Sequence, residues 1–109
     1  MTEVGNNAEV LDRLFEVIKS RRGAESSSSY TARLLAAGTE KIARKLGEES
    51  VETIIAALGE TPDRVSSESA DLLYHLLVLW ADIGIEPADV WAELARREGT
   101  SGIAEKASR

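Results

Sequence analysis

Apolar residues recur at three- and four-residue spacing along most of this chain, the period of helices that bury one side. The first such segment covers residues 8–22, where Leu11, Leu14, Phe15 and Ile18 oppose Asp12, Arg13, Glu16 and Lys19. Gly23 and the serine run 26–29 follow and read as a flexible linker, with Ser29 also placed to cap what comes next. Tyr30–Ala37 reads as a short helix closed by Gly38, and Thr39 as the cap of a long one over 40–58, stopped by Gly59. The third helix carries the clearest start signal: Thr61 as cap, Pro62 in the first turn, then Asp63 at the positive end of the dipole. It is expected to run to Ile83 and stop at Gly84, and the fourth to run from Pro87 to near Gly99. No segment alternates as a strand does, and no repeat is visible. The expectation is an all-α fold: one domain over 1–109, a helical bundle of four to five helices, with 1–7 and 100–109 loosely ordered.

The polar positions are not scattered. On a helical wheel Lys41, Lys45, Glu48, Glu49 and Glu52 fall within an arc of roughly 100°, and Glu68, Asp71 and His75 within about 60°. Ile42, Leu46, Val51, Ile54, Ile55 and Leu58 lie outside the first arc and are expected to pack. Charged faces ordinarily belong to water. Here, however, Glu68 and Asp71 precede a stretch, 72–80, that is apolar all round and therefore buried on most sides. They are expected to face another element, and the long helix before them offers carboxylates of its own.

Composition narrows the chemistry. The 109 residues carry a net charge of −6 and no cysteine, which suits a reducing compartment and excludes a disulfide framework and cysteine-based zinc sites. An acidic chain has no electrostatic footprint for nucleic acid or an anionic membrane, and no apolar run approaches the ~20 residues of a membrane span. The polar start lacks the design of a signal peptide, so the protein is expected to be cytoplasmic. Clustered ionised carboxylates repel one another and lose hydration, so they require a cation. An all-oxygen set with a single histidine in the chain favours Mg²⁺ over zinc.

Glu48-Glu49-x-x-Glu52 followed by Glu68-x-x-Asp71 resembles the metal-binding signature of the all-α nucleoside triphosphate pyrophosphatase superfamily. Within it, SYTARLLAAGTEKIARKLGEESVE at 29–52, ESADLLYHLLVLW at 68–80 and the tail SGIAEKASR at 101–109 are similar to the phosphoribosyl-ATP pyrophosphohydrolase family. That resemblance implies a dimeric, all-helical, Mg²⁺-dependent enzyme. It would hydrolyse the α–β phosphoanhydride of phosphoribosyl-ATP to phosphoribosyl-AMP and pyrophosphate, the second step of histidine biosynthesis. Glu48, Glu49, Glu52, Glu68 and Asp71 are then the expected metal ligands. Glu49 and Glu52 are the expected catalytic pair, since a glutamate not fully committed to metal can take a proton from water.

Other positions keep two readings. Lys41 and Lys45 suit phosphate oxygens as point charges, or simply neutralise the neighbouring acids. His75 suits a hydrogen bond to a carboxylate behind the ligands more than a ligand role. Tyr30, Thr31 and Arg33 suit either substrate contact or a capped helix start. Arg96 and Arg97 complement a helix dipole, and Trp80 and Trp91 suit packing or an interface. The apolar belt 72–80 exceeds what the other helices can cover, which predicts a homodimer built on it. Two competing functions remain: a housekeeping nucleoside triphosphate pyrophosphatase of the same superfamily, and a non-catalytic helical dimerisation module, against which the five clustered acids argue.

Overall fold

The computed structural model of the chain describes residues 5–109 and contains, among them, six helices and no strand. They are α1 (Glu9–Ser20), α2 (Tyr30–Ala37), α3 (Thr39–Gly59), α4 (Pro62–Ile83), α5 (Pro87–Arg97) and α6 (Gly102–Ser108). The all-α expectation holds, with one helix more than the pattern predicts. Of the loose start expected over 1–7, the first four residues lie outside the described part.

The ends follow local chemistry. Ser29 Oγ accepts from the Ala32 amide at 3.1 Å, so the serine run ends as the cap of α2. Thr61 caps α4 through the Arg64 amide at 3.3 Å, with Pro62 in the first turn. Thr39 does not cap α3; it is the helix's first residue, and its hydroxyl donates to Asp82 Oδ2 at 2.5 Å instead. Gly38, at φ +98°, closes α2 and opens α3 in one residue, a backbone state that costs glycine little. Gly84, at φ +84°, ends α4 by donating its amide to the Trp80 carbonyl.

Residues 59 and 62 end α3 and begin α4, so the two long helices form an antiparallel hairpin, the most extensive packing in the molecule. α1 and α2 cross α4, and the core lies there: Phe15, Ile18, Leu34, Leu35, Ile42, Leu77, Val78 and Trp80 form one buried cluster. Burying side chains of this size stabilises by about 1.5–3 kcal/mol each. α5 joins through Trp91, which meets Trp80 edge-on at 5.9 Å and donates its indole N–H to Asp12 at 3.2 Å.

Two sequence expectations about the apolar faces are corrected. The belt 72–80 is covered within the single chain: Leu77, Val78 and Trp80 are buried, and of its large apolar residues only Leu73 is exposed. α1, α2 and α3 together cover more of it than the sequence count allowed. Conversely, Val51, Ile54, Ile55 and Leu58 of α3, expected to pack, are exposed, Leu58 at 84 %. The second half of α3 sends Ala56 rather than these large side chains into the protein.

The tail carries the sixth helix. α6 is capped by Ser101 Oγ on the Ala104 amide at 3.1 Å. Its Glu105, buried, receives Arg96 at 2.7 Å and lies 3.5 Å from both Arg97 and Arg109. Polar composition alone suggests a loose tail; the ion pairs give it a shape.

Candidate functional site

The α3–α4 hairpin brings the two acidic motifs together. Glu49 and Glu52 are one turn apart on α3, and Glu68 and Asp71 one turn apart on α4. Carboxylate oxygens of Glu49, Glu68 and Asp71 lie within 4.8 Å of one another. Glu52 belongs to the same neighbourhood, close enough for its charge to act on Glu68. Burial first, and then the Glu52 charge, push the Glu68 carboxyl above its usual value, while Arg64 opposes them.

One cation inside the chain answers this cluster. Arg64, one turn before Glu68, donates to Glu68 Oε1 at 2.7 Å and to Glu60 at 3.2 Å. The sequence reading missed it, although its position four residues before Glu68 on the same helix is a readable signal. Arg64 satisfies one oxygen only. Glu49 Oε2 and Glu68 Oε2 are buried and have no hydrogen-bond partner. Two orphaned carboxylate oxygens beside a third acid form a donor set suited to a hard cation.

Glu48 stands apart. Its side chain is half exposed, and its Oε1 lies 3.5 Å from Lys45 Nζ. The negative charge of Glu48 holds the Lys45 ammonium above the usual lysine value. Of the five acids singled out, the structure therefore gathers Glu49, Glu52, Glu68 and Asp71, and turns Glu48 toward a lysine.

His75 is buried beneath the site, but its partners are not carboxylates. Nδ1 lies 2.8 Å from the Asp71 backbone carbonyl, which can only accept, so Nδ1 carries a proton. In the neutral ring Nε2 then accepts from the Tyr30 hydroxyl at 3.2 Å. Tyr74 extends the arrangement: it stacks at 6.3 Å on Tyr30 and hydrogen-bonds Thr31. The start of α2 is thereby fixed to the α4 turn that carries Asp71.

Beside the acids lies a cleft of about 260 Å³, lined by Tyr30, Arg33, Leu34, Ala37, Lys41 and Lys45. Lys45 belongs to both regions, lining the cleft while paired with Glu48. Glu48 in turn shares a shallow groove with Gly47, Val51 and Glu52.

The fold and site define an all-α protein with a carboxylate cluster short of cations and a basic cleft alongside it. The model of the family described as phosphoribosyl-ATP pyrophosphohydrolase matches residues 11–98, and the chain belongs to that family. It is 60 % identical over 106 residues to the phosphoribosyl-ATP pyrophosphatase of Paramagnetospirillum magneticum, covering 97 % of each chain. To the proteins of the same name from Azospirillum brasilense and Parvibaculum lavamentivorans it is 59 % identical over 109 residues and 62 % over 103. These matches cover 100 % and 94 % of this chain, and 98 % and 94 % of the relatives.

Proposed function

We propose that this chain is a hydrolase that cleaves the α–β phosphoanhydride of phosphoribosyl-ATP, releasing pyrophosphate and phosphoribosyl-AMP in histidine biosynthesis, with Mg²⁺ at the acid cluster. The family and the relatives' names support the reaction. The observation that carries the metal is the pair of buried, unpartnered oxygens of Glu49 and Glu68 next to Asp71. Glu49, Glu52, Glu68 and Asp71 are the residues that hold the ion, and Glu48 serves as the counter-charge of Lys45. Bound there, Mg²⁺ neutralises phosphate charge and lowers the pKa of water.

The chain's own groups do the remaining work. Glu49 and Glu52 are the candidate proton acceptors for the attacking water, because a carboxylate beside the bound water, not fully committed to metal, can take its proton. Lys41 and Lys45 supply cations for phosphate oxygens, and Arg64 keeps Glu68 in place. His75 locks Tyr30 to the turn bearing Asp71, so the cleft and the acid cluster hold their relative positions. The housekeeping reading, hydrolysis of a common nucleoside triphosphate, has no separate observation in its favour. A purely structural helical module leaves the convergence of Glu49, Glu68 and Asp71 on one point without a purpose.

We also place a second copy of the chain over Val51, Ile54, Ile55 and Leu58, because four large apolar side chains exposed on one helix are the mark of an interface. Cytoplasmic location accords with a chain in which no described helix is long and apolar enough to cross a membrane.

Pyrophosphate release from phosphoribosyl-ATP tests the reading: turnover with Mg²⁺, none in EDTA, and recovery on adding the ion back. Full turnover in EDTA, or equal rates on ATP and dUTP, overturns it. Light scattering on the same sample should show twice the 11.8 kDa chain mass.

A further inference from the structure

The cleft between α2 and α3 reverses the electrostatics of the acid cluster. Gly38 folds α2 back onto the start of α3, so Arg33 and Ala37, one turn apart, face Lys41 and Lys45, one turn apart. Three cations line the cleft and no carboxylate does. Among the described residues, neither Arg33 nor Lys41 takes part in an ion pair. Both are exposed to solvent at the cleft mouth, so their charges are free to meet an incoming anion.

Size and geometry say which anion. The volume, about 260 Å³, falls just below the ~300 Å³ at which pockets for whole drug-sized ligands begin. It suits one end of a nucleotide-like molecule. Tyr30 contributes a wall rather than a proton, since its hydroxyl is donated to His75 and its ring is stacked against Tyr74. Charge recognition therefore falls to Arg33, whose planar fork matches a phosphate in two hydrogen bonds, and to Lys41 as a point charge. Lys45, tied to Glu48, marks the border with the acids.

Phosphoribosyl-ATP carries two separate anionic ends: the triphosphate that reacts, and a phosphate monoester on the second ribose. The acid cluster repels both unless a cation intervenes, whereas the basic cleft needs none. We propose that the Arg33–Lys41 cleft is the subsite for the phosphate monoester end, separate from the triphosphate that meets the acid cluster. This rests on the phosphoribosyl-ATP reading and adds which end of the substrate goes where. It makes Arg33 and Lys41 specificity-determining residues: they distinguish phosphoribosyl-ATP from ATP, which lacks that phosphate.

The experiment is titration calorimetry of ribose 5-phosphate in EDTA, paired with kinetics. The wild type should bind ribose 5-phosphate without divalent metal, and Arg33→Gln and Lys41→Gln should each weaken binding about tenfold or more, as loss of one charge-assisted contact does. Arg44→Gln, removing an equal charge from the exposed Arg44–Glu40 pair of α3, should leave it unchanged. Arg33→Gln should also lower kcat/KM on phosphoribosyl-ATP about tenfold, and with it the preference for phosphoribosyl-ATP over ATP. Binding of ribose 5-phosphate only when Mg²⁺ is present overturns the subsite, and so does equal weakening by Arg44→Gln. A wild type that binds ribose 5-phosphate through Arg33 but hydrolyses no phosphoribosyl-ATP refutes the substrate reading instead, leaving a sugar-phosphate site. Unchanged melting curves show that each variant is folded.

Discussion

Two glutamates in this molecule are equally buried and oppositely surrounded. Glu68 on α4 and Glu105 on α6 are 8 % and 5 % exposed, and each keeps one oxygen without a partner. Around Glu68 stand Glu49, Glu52 and Asp71, with Arg64 as the nearest cation. Around Glu105 stand Arg96, Arg97 and Arg109. A buried carboxylate must find positive charge somewhere. The tail supplies it from the chain and gains an ordered helix. The hairpin supplies only Arg64 against four acids, and on the proposed reading a cation from outside completes the site. One residue type thus serves attachment in one place and, on the proposed reading, ligand binding in the other.

The largest expected effects come from exchanging charge at each glutamate. Glu49→Gln and Glu68→Gln should each remove most turnover, a loss of about 10²-fold or more if the residue serves as proton acceptor or metal ligand. In EDTA, Glu68→Gln should melt no lower than the wild type, because the mutual repulsion of the acids falls, and it should gain less from Mg²⁺. Glu105→Gln should behave in the opposite way: turnover and Mg²⁺ response kept, local attachment of α6 lost. A hydrogen bond between charged groups contributes about 1.5–3 kcal/mol, so amide exchange over 102–108 should accelerate while the global melting temperature moves little. Equal Mg²⁺ dependence of the two variants would erase the contrast.

Acid titration sharpens the same comparison at smaller scale. Hydrogen bonds from Arg96, then Arg97, hold the Glu93 carboxyl at about 2, well below its ordinary 4.5. A carboxyl depressed on folding stabilises fully above its unfolded value and loses that contribution as pH falls toward the folded one. The α5 end should therefore loosen between about pH 4.5 and 2. Glu68 has the reverse sign. Burial raises its carboxyl above 4.5, so in metal-free protein its ionisation opposes folding, and the hairpin should tighten as pH falls back toward 4.5. Residue-resolved amide exchange in EDTA reads both signs at once. Parallel behaviour of the two regions would mean that Glu68 finds a counter-charge other than Arg64.

How much of this the sequence discloses depends on the range of each interaction. Caps and stops are local, and Ser29, Gly38, Thr61, Pro62 and Gly84 announce their roles. The acid cluster is nearly local, since two motifs on consecutive helices joined by a short turn can only fold onto each other. The apolar faces are not local. Whether Leu77 or Ile54 is covered depends on where α1 and α2 cross, which helical periodicity does not specify. Glu48 and Glu49 are adjacent, so the wheel places both in one charged arc. Only packing shows that Glu49 turns to α4 and Glu48 to Lys45. The α6 latch joins Arg96 to Glu105 across a turn that polar composition disguises.

The smallest expected effect tests what covers α3 beside the acids. Gly47 sits in the middle of the helix, exposed, and a Cβ built on it meets no atom within 4 Å. Within the single chain nothing requires glycine there, so Gly47→Ala should stabilise by about 0.5–1 kcal/mol through helix propensity alone. Yet Gly47 lines the groove that holds Glu48, Val51 and Glu52, next to the exposed apolar face assigned to a second copy. Chemical denaturation at two protein concentrations separates the two demands. A midpoint raised equally at both shows that the groove is open in the assembled protein. A gain at low concentration that turns into a loss at high concentration shows that the second chain approaches Gly47 closely, and it would extend the dimer seam from Val51, beside Glu52, to the turn before Glu48 and Glu49.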